Sequence, residues 1–104
     1  MEVSFVRIID GTVVVRLAGE VDMDSVALLR ATIDSILDDP TTAQVMVDLR
    51  YVTFIDSVGL GALVGAQDAA RQREIRLTVT NPAPFVTHQL HISGLYEHLV
   101  APAW

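Results

Sequence analysis

The alternation of two hydrophobic periodicities along this chain restricts its fold more than any other feature. Val45-Met46-Val47-Asp48-Leu49 and Arg76-Leu77-Thr78-Val79-Thr80 are short strand-like runs, and a stretch with helical rhythm precedes each of them. In the first stretch, from Met23, the apolar positions are Val26, Leu29, Ile33, Ile36 and Leu37, with Asp22 or Asp24 as its cap and Asp38-Asp39-Pro40 as its end. In the second, from Asp56-Ser57 to about Gln72, the residues Leu60, Leu63, Val64, Gln67 and Ala70 mark the inner face. Crossovers of this length join parallel neighbours. Ahead of them, residues 3–9 and 12–18 are rich in β-branched side chains and are joined by Asp10-Gly11, a two-residue hairpin turn. After Asn81-Pro82-Ala83-Pro84, residues 85–92 read as a third helix stopped by Ser93-Gly94, and residues 98–100 as a last edge strand. The expectation is an α/β fold in a single domain, residues 1–104, with a mixed four- to five-stranded sheet, an N-terminal hairpin and about three helices.

Composition narrows the function. Seven basic against thirteen acidic residues give a net charge of −6, a field that repels phosphate backbones, so no direct nucleic-acid contact is expected. The absence of cysteine excludes a disulfide framework and a thiol nucleophile. The N-terminus lacks the basic start and apolar run of a secretory signal. The longest nearly apolar stretch, residues 58–66, is far shorter than the roughly 20 residues of a bilayer span. A cytoplasmic protein without membrane insertion is expected.

The segment Asp56-Ser57-Val58-Gly59-Leu60-Gly61 stands out. Asp and Ser are both favoured helix N-caps, because a side-chain oxygen can accept an orphaned helix N–H. The glycines are harder to account for. Gly59, Gly61 and Gly65 fall in the first three turns, and an interior glycine costs roughly 0.8–1 kcal/mol relative to alanine. Either the helix approaches the sheet closely or its outer face must stay flat for a partner. The outward stripe Ser57, Val58, Gly61, Ala62, Gly65 and Asp68 carries one charge, unlike an ordinary solvated face. It reads as a docking surface with a hydroxyl at its edge.

These residues resemble the STAS-domain anti-sigma factor antagonists (anti-anti-sigma factors) over nearly the whole chain. Phe54-Ile55-Asp56-Ser57-Val58-Gly59-Leu60-Gly61 is similar to the family's phosphorylation segment, and Gly19-Glu20-Val21-Asp22 to its turn between second strand and first helix. Residues 45–49 and Ser93-Gly94-Leu95-Tyr96 match in kind and position. The resemblance implies a partner-switching regulator of transcription, as in stress responses, and not an enzyme. Unphosphorylated, it would bind an anti-sigma factor with serine kinase activity and release the sigma factor. The kinase, using ATP and magnesium, would phosphorylate Ser57, and a serine phosphatase would reverse it. Asp22, Asp24 and Asp56 would join the stripe in partner contact. A phosphate adds about −1.5 to −2 charge, so a steric and electrostatic block is expected rather than a rearrangement. Two departures from the family pattern are Val58, where a Ser or Thr often follows the phosphoacceptor, and a chain that stops at Trp104 where a last helix commonly follows. The latter leaves open a homodimer.

Two other functions are compatible with these residues. STAS domains also serve as accessory subunits of membrane transport systems, docking on an ATPase, where Ser57 would be a plain contact. Alternatively His88 and His91, at i and i+3 on the third helix, could chelate a metal or serve a hydrolase with Ser57 as nucleophile and Asp56 as orienter, but the Gly-x-Ser-x-Gly elbow is missing and no oxyanion hole can be assigned. The histidines read as ordinary exposed side chains, and Phe85 and Trp104 as packing residues. No cofactor and no metal are implied.

Overall fold

A computed structural model describes residues 1–100. Strands β1 (Glu2–Arg7) and β2 (Thr12–Val21) form the N-terminal hairpin, antiparallel, with Glu2 opposite Ala18 and Arg7 opposite Val13. The turn is longer than the two-residue Asp10-Gly11 pair. The Ile8 N–H bonds the Thr12 carbonyl, closing a three-residue loop, and the Gly11 N–H bonds the Ile8 carbonyl. Gly11 takes the left-handed conformation (φ 85°) that such a loop demands at its last position.

Helix α1 (Val26–Asp38) then crosses to β3 (Gln44–Ile55), α2 (Ser57–Gln72) crosses to β4 (Arg76–Thr80), and α3 (Pro84–Ile92) and α4 (Tyr96–Leu99) follow. The sheet order is β1-β2-β3-β4, with β2, β3 and β4 parallel. Alternation along the strands puts Val13, Val15 and Leu17, then Val45, Val47 and Leu49, then Leu77 and Val79 into one core. Leu29, Ile33 and Ile36 of α1 and Leu60 and Leu63 of α2 share it.

β3 has twelve residues and runs beyond residues 45–49 through a second half, residues 50–55. It stays in the sheet because β2 runs on to Val21 and pairs it to the end, Tyr51 with Ala18 and Ile55 with Val21. Two register shifts, between Arg16 and Ala18 and between Gly19 and Glu20, break the period of two and hide this half from a periodicity reading. At the first of them the Asp48 carboxylate accepts the Arg50 N–H at 2.9 Å.

Residues 98–100 are not a strand. Residues 96–99 form the short helix α4, and Val100 alone bridges β4, at Val79. The Gln67 amide fills the remaining gap, donating to the carbonyls of His98 (2.8 Å) and Leu77 (3.2 Å). The acidic end of α1 is tied down by arginines: Asp38 pairs with Arg73 at 2.9 Å and Asp39 with Arg7 at 3.1 Å.

Candidate functional site

β3 ends at Ile55, and the chain turns directly into α2. Asp56 is the N-cap, in extended conformation, and its carboxylate accepts the Gly59 N–H at 2.8 Å. The choice between Asp56 and Ser57 as cap is thereby resolved in favour of Asp56. Ser57, the first helical residue, is exposed, and among the described residues its hydroxyl makes no hydrogen bond within the protein. Val58 beside it is 44% exposed.

The Asp56 N–H donates to the Val21 carbonyl at 3.3 Å, bringing the start of α2 against the end of β2. The loop that follows Val21 carries Asp22 and Asp24, so this bond sets the start of that loop against the start of α2. Neither caps α1. The N-cap position is Ser25, whose side chain makes no capping bond to the helix, and the Asp22 carboxylate accepts the Asp24 N–H at 3.0 Å. The Ser25 hydroxyl accepts the Asp22 N–H at 2.9 Å and lies 3.1 Å from the Glu20 carbonyl, holding the loop closed. Sequence reasoning missed Ser25, although a serine directly before the first apolar helical position is the ordinary signature of a helix start.

The glycines of α2 divide into two kinds. A Cβ on Gly59 would lie 2.4 Å from the Val21 carbonyl oxygen and 2.9 Å from Ile55 Cγ1. Gly59 therefore permits the close approach of helix and sheet. Gly61 and Gly65 have nothing within 4 Å of an added Cβ, so no internal contact requires them. Ser57, Val58, Gly61, Gly65 and Asp68 are exposed, as the stripe anticipated. Ala62 is not. It is 8% exposed, turned into a groove of about 240 Å³ between α1 and α2 that Leu29, Ile33, Gly65 and Ala66 also line. A helical position between two outward residues still turns sideways when a second helix lies alongside, and α1 does. Phe54 and Phe85, both partly exposed, stack at 6.2 Å near the end of β3, a pair that sequence spacing could not reveal.

Comparison with known proteins agrees with this geometry. A family profile described as "Mlab, STAS domain" matches residues 4–101. The anti-sigma F factor antagonist of Lysinibacillus sphaericus is 32% identical over 84 residues, 81% of this chain and 72% of that protein. That of Paenibacillus polymyxa is 29% identical over 87 residues, covering 84% and 74%. The chain belongs to the STAS-domain anti-sigma factor antagonist family. The solved structure of the anti-sigma factor antagonist SpoIIAA in its unphosphorylated form superposes with a TM-score of 0.81 at 25% identity, over 98% of this chain and 89% of that one.

For a STAS domain the remaining candidates are quiet. His91 stacks on Tyr96, with ring centres 4.1 Å apart, and the backbone carbonyl of His98 accepts from Gln67. Among the described residues no hydrogen bond joins Ser57 to a histidine, and the Asp56 carboxylate is spent on the Gly59 N–H. No helix among them is long and apolar enough to cross a membrane, and no group of three or more His, Cys, Asp or Glu side chains converges as a metal site. Trp104 lies outside the described residues.

Proposed function

We propose that this chain is a cytoplasmic anti-sigma factor antagonist that binds its anti-sigma factor through the α2 face and is switched off by phosphorylation of Ser57. One observation carries the reading: Asp56 takes over the capping of α2, which leaves the Ser57 hydroxyl exposed and unengaged beside the glycine face. The protein acts by binding and not as an enzyme. The anti-sigma factor itself, as a serine kinase, transfers the terminal phosphoryl group of ATP to the Ser57 oxygen, and a phosphatase removes it.

The helix start accommodates the product. Asp56 satisfies the Gly59 N–H, so the N–H groups of Ser57 and Val58 are left to meet phosphate oxygens. The interface does not accommodate it, because a dianion must be desolvated against a surface shaped for a hydroxyl. A penalty of about 2.8 kcal/mol already weakens binding about a hundredfold. Asp22 and Asp24 on the neighbouring loop, with Gly61, Gly65 and Asp68 along the helix, complete the contact, and Ala62 contributes only through the groove.

The test uses the purified chain and the kinase-type anti-sigma factor of its own organism. Ser57→Ala should bind about as well as the unmodified protein and Ser57→Asp at least a hundredfold more weakly, with phosphate found on the tryptic peptide of residues 51–71. Equal binding by the two variants would sink the switch. Recovery of a transporter ATPase from cells, with no phosphate on that peptide, would favour the accessory-subunit reading instead.

A further inference from the structure

The groove between α1 and α2 holds about 240 Å³. Its floor is apolar, with Leu29 and Ile33 buried, and its α2 wall is small: Ala62, Gly65, Ala66 and Ala69. Nothing inside the protein requires Gly65 to lack a side chain, and that lack widens the groove. Charge enters from one wall alone. Arg30 and Asp34, four residues apart on α1, are the charged residues of the lining. Both are exposed, and among the described residues neither joins an ion pair. They stand in the less favourable order for a pair along a helix, with the basic residue first. The groove thus sets one positive and one negative group, a turn apart, over an apolar floor.

We propose that this groove binds a free α-amino acid with an apolar side chain. The two rim charges select the class. A simple fatty acid would set its carboxylate beside Asp34 as well as Arg30, and a simple amine would meet Arg30 as well as Asp34. An α-amino acid carries both charges on one carbon. Its carboxylate accepts from the Arg30 guanidinium, and its ammonium donates to the Asp34 carboxylate. Its side chain then lies on Leu29 and Ile33 against the small residues of α2, which removes apolar surface from water. The size agrees: an apolar cavity of about 150 Å³ already admits benzene, and 240 Å³ leaves room for a side chain such as that of leucine. Binding is weak, because both rim charges stay wet and exposed ion pairs contribute little. Gly65 also belongs to the face proposed to dock on the anti-sigma factor, so a bound amino acid alters the surface that partner meets.

Titration of the ¹⁵N-labelled chain with L-leucine, followed in ¹H–¹⁵N spectra, should give saturable shifts at Leu29, Arg30, Ile33, Gly65 and Ala66, with a Kd of about 1 mM. The amides of β1 should stay still. Two analogues each lack one charge: isocaproate has no ammonium and isoamylamine no carboxylate. Both should bind about fivefold more weakly than L-leucine, and L-leucine should bind Arg30→Gln and Asp34→Asn with the same loss. These two positions are exposed, so both variants should keep the melting temperature of the parent. The titration uses the free chain without an anti-sigma factor, so its outcome is separate from that of the Ser57 switch. No saturable shift with L-leucine overturns the proposal and leaves the groove to a side chain of the protein partner. Either analogue binding as tightly as L-leucine overturns it too, because a single charge would then suffice.

Discussion

The Asp56 carboxylate accepts the Gly59 N–H at 2.8 Å, and this bond across four residues frees the hydroxyl that lies between its partners. Removing it separates stability from charge. Asp56→Ala should cost about 1 kcal/mol, the usual worth of an N-cap, and lower the melting temperature by about 4–8 °C for a domain of this size. Asp56→Asn, which can still cap, should melt close to the parent. Thermal denaturation followed by circular dichroism checks both.

The division among the α2 glycines gives mutations of opposite sign. Gly59→Ala must displace the Val21 carbonyl or the Ile55 side chain, and overpacking of this kind costs about 1–3 kcal/mol. Gly61→Ala and Gly65→Ala meet open space and should each stabilise the chain by about 0.8–1 kcal/mol. If the α2 face docks on the anti-sigma factor, those same two stabilised variants should bind it more weakly. Urea unfolding and a binding titration, run on all three, read the two effects independently.

Acid should loosen the junction between the hairpin and the loop after α1. The Thr41 hydroxyl, bonded to the Asp39 carboxylate at 2.6 Å, and the Thr41 N–H hold its pKa below the ordinary value against a small opposing effect of burial, with Arg7 assisting. A carboxyl lowered in the folded state contributes stability above its unfolded pKa and loses it as pH falls through the folded one. The loss therefore begins below about pH 4. Asp39→Asn should flatten the acid limb of a plot of melting temperature against pH. Some slope should persist, because the Thr12 hydroxyl and N–H lower Asp10 in the same way.

Phosphorylated protein should keep its fold. Amide chemical shift changes in ¹H–¹⁵N spectra should be largest at Ser57, Val58 and Gly59, reach the Asp22–Asp24 loop through the Val21 carbonyl, and be small in α1 and β4. Widespread shifts across the sheet would contradict a local block.

Much of this fold is legible in the sequence. The alternation of periods set the parallel crossovers, and the corner at Asp56-Ser57 was visible because cap residues and glycines are informative one residue at a time. What escaped depended on neighbours distant in sequence. Residues 50–55 are a strand because β2 reaches beyond Ala18 to meet them. Residues 96–99 coil because Gln67, some thirty positions earlier, supplies the hydrogen bonds that another strand would have given. Ala62 turns sideways because α1 lies beside α2. Asp22 and Asp24 both have the residue type of a cap, yet the Asp22 carboxylate is used inside its own loop, on the Asp24 N–H.

The narrow gap over Gly59 sets a mechanical tolerance. The carbonyl end of β2 and the first turn of α2 are separated by less than one methyl group allows. The height at which Ser57 is presented is thus fixed by a missing carbon two residues away. Drift at either side of that gap would carry the hydroxyl with it, so the position of this one side chain is tied to the packing of a strand that does not directly precede it in the chain.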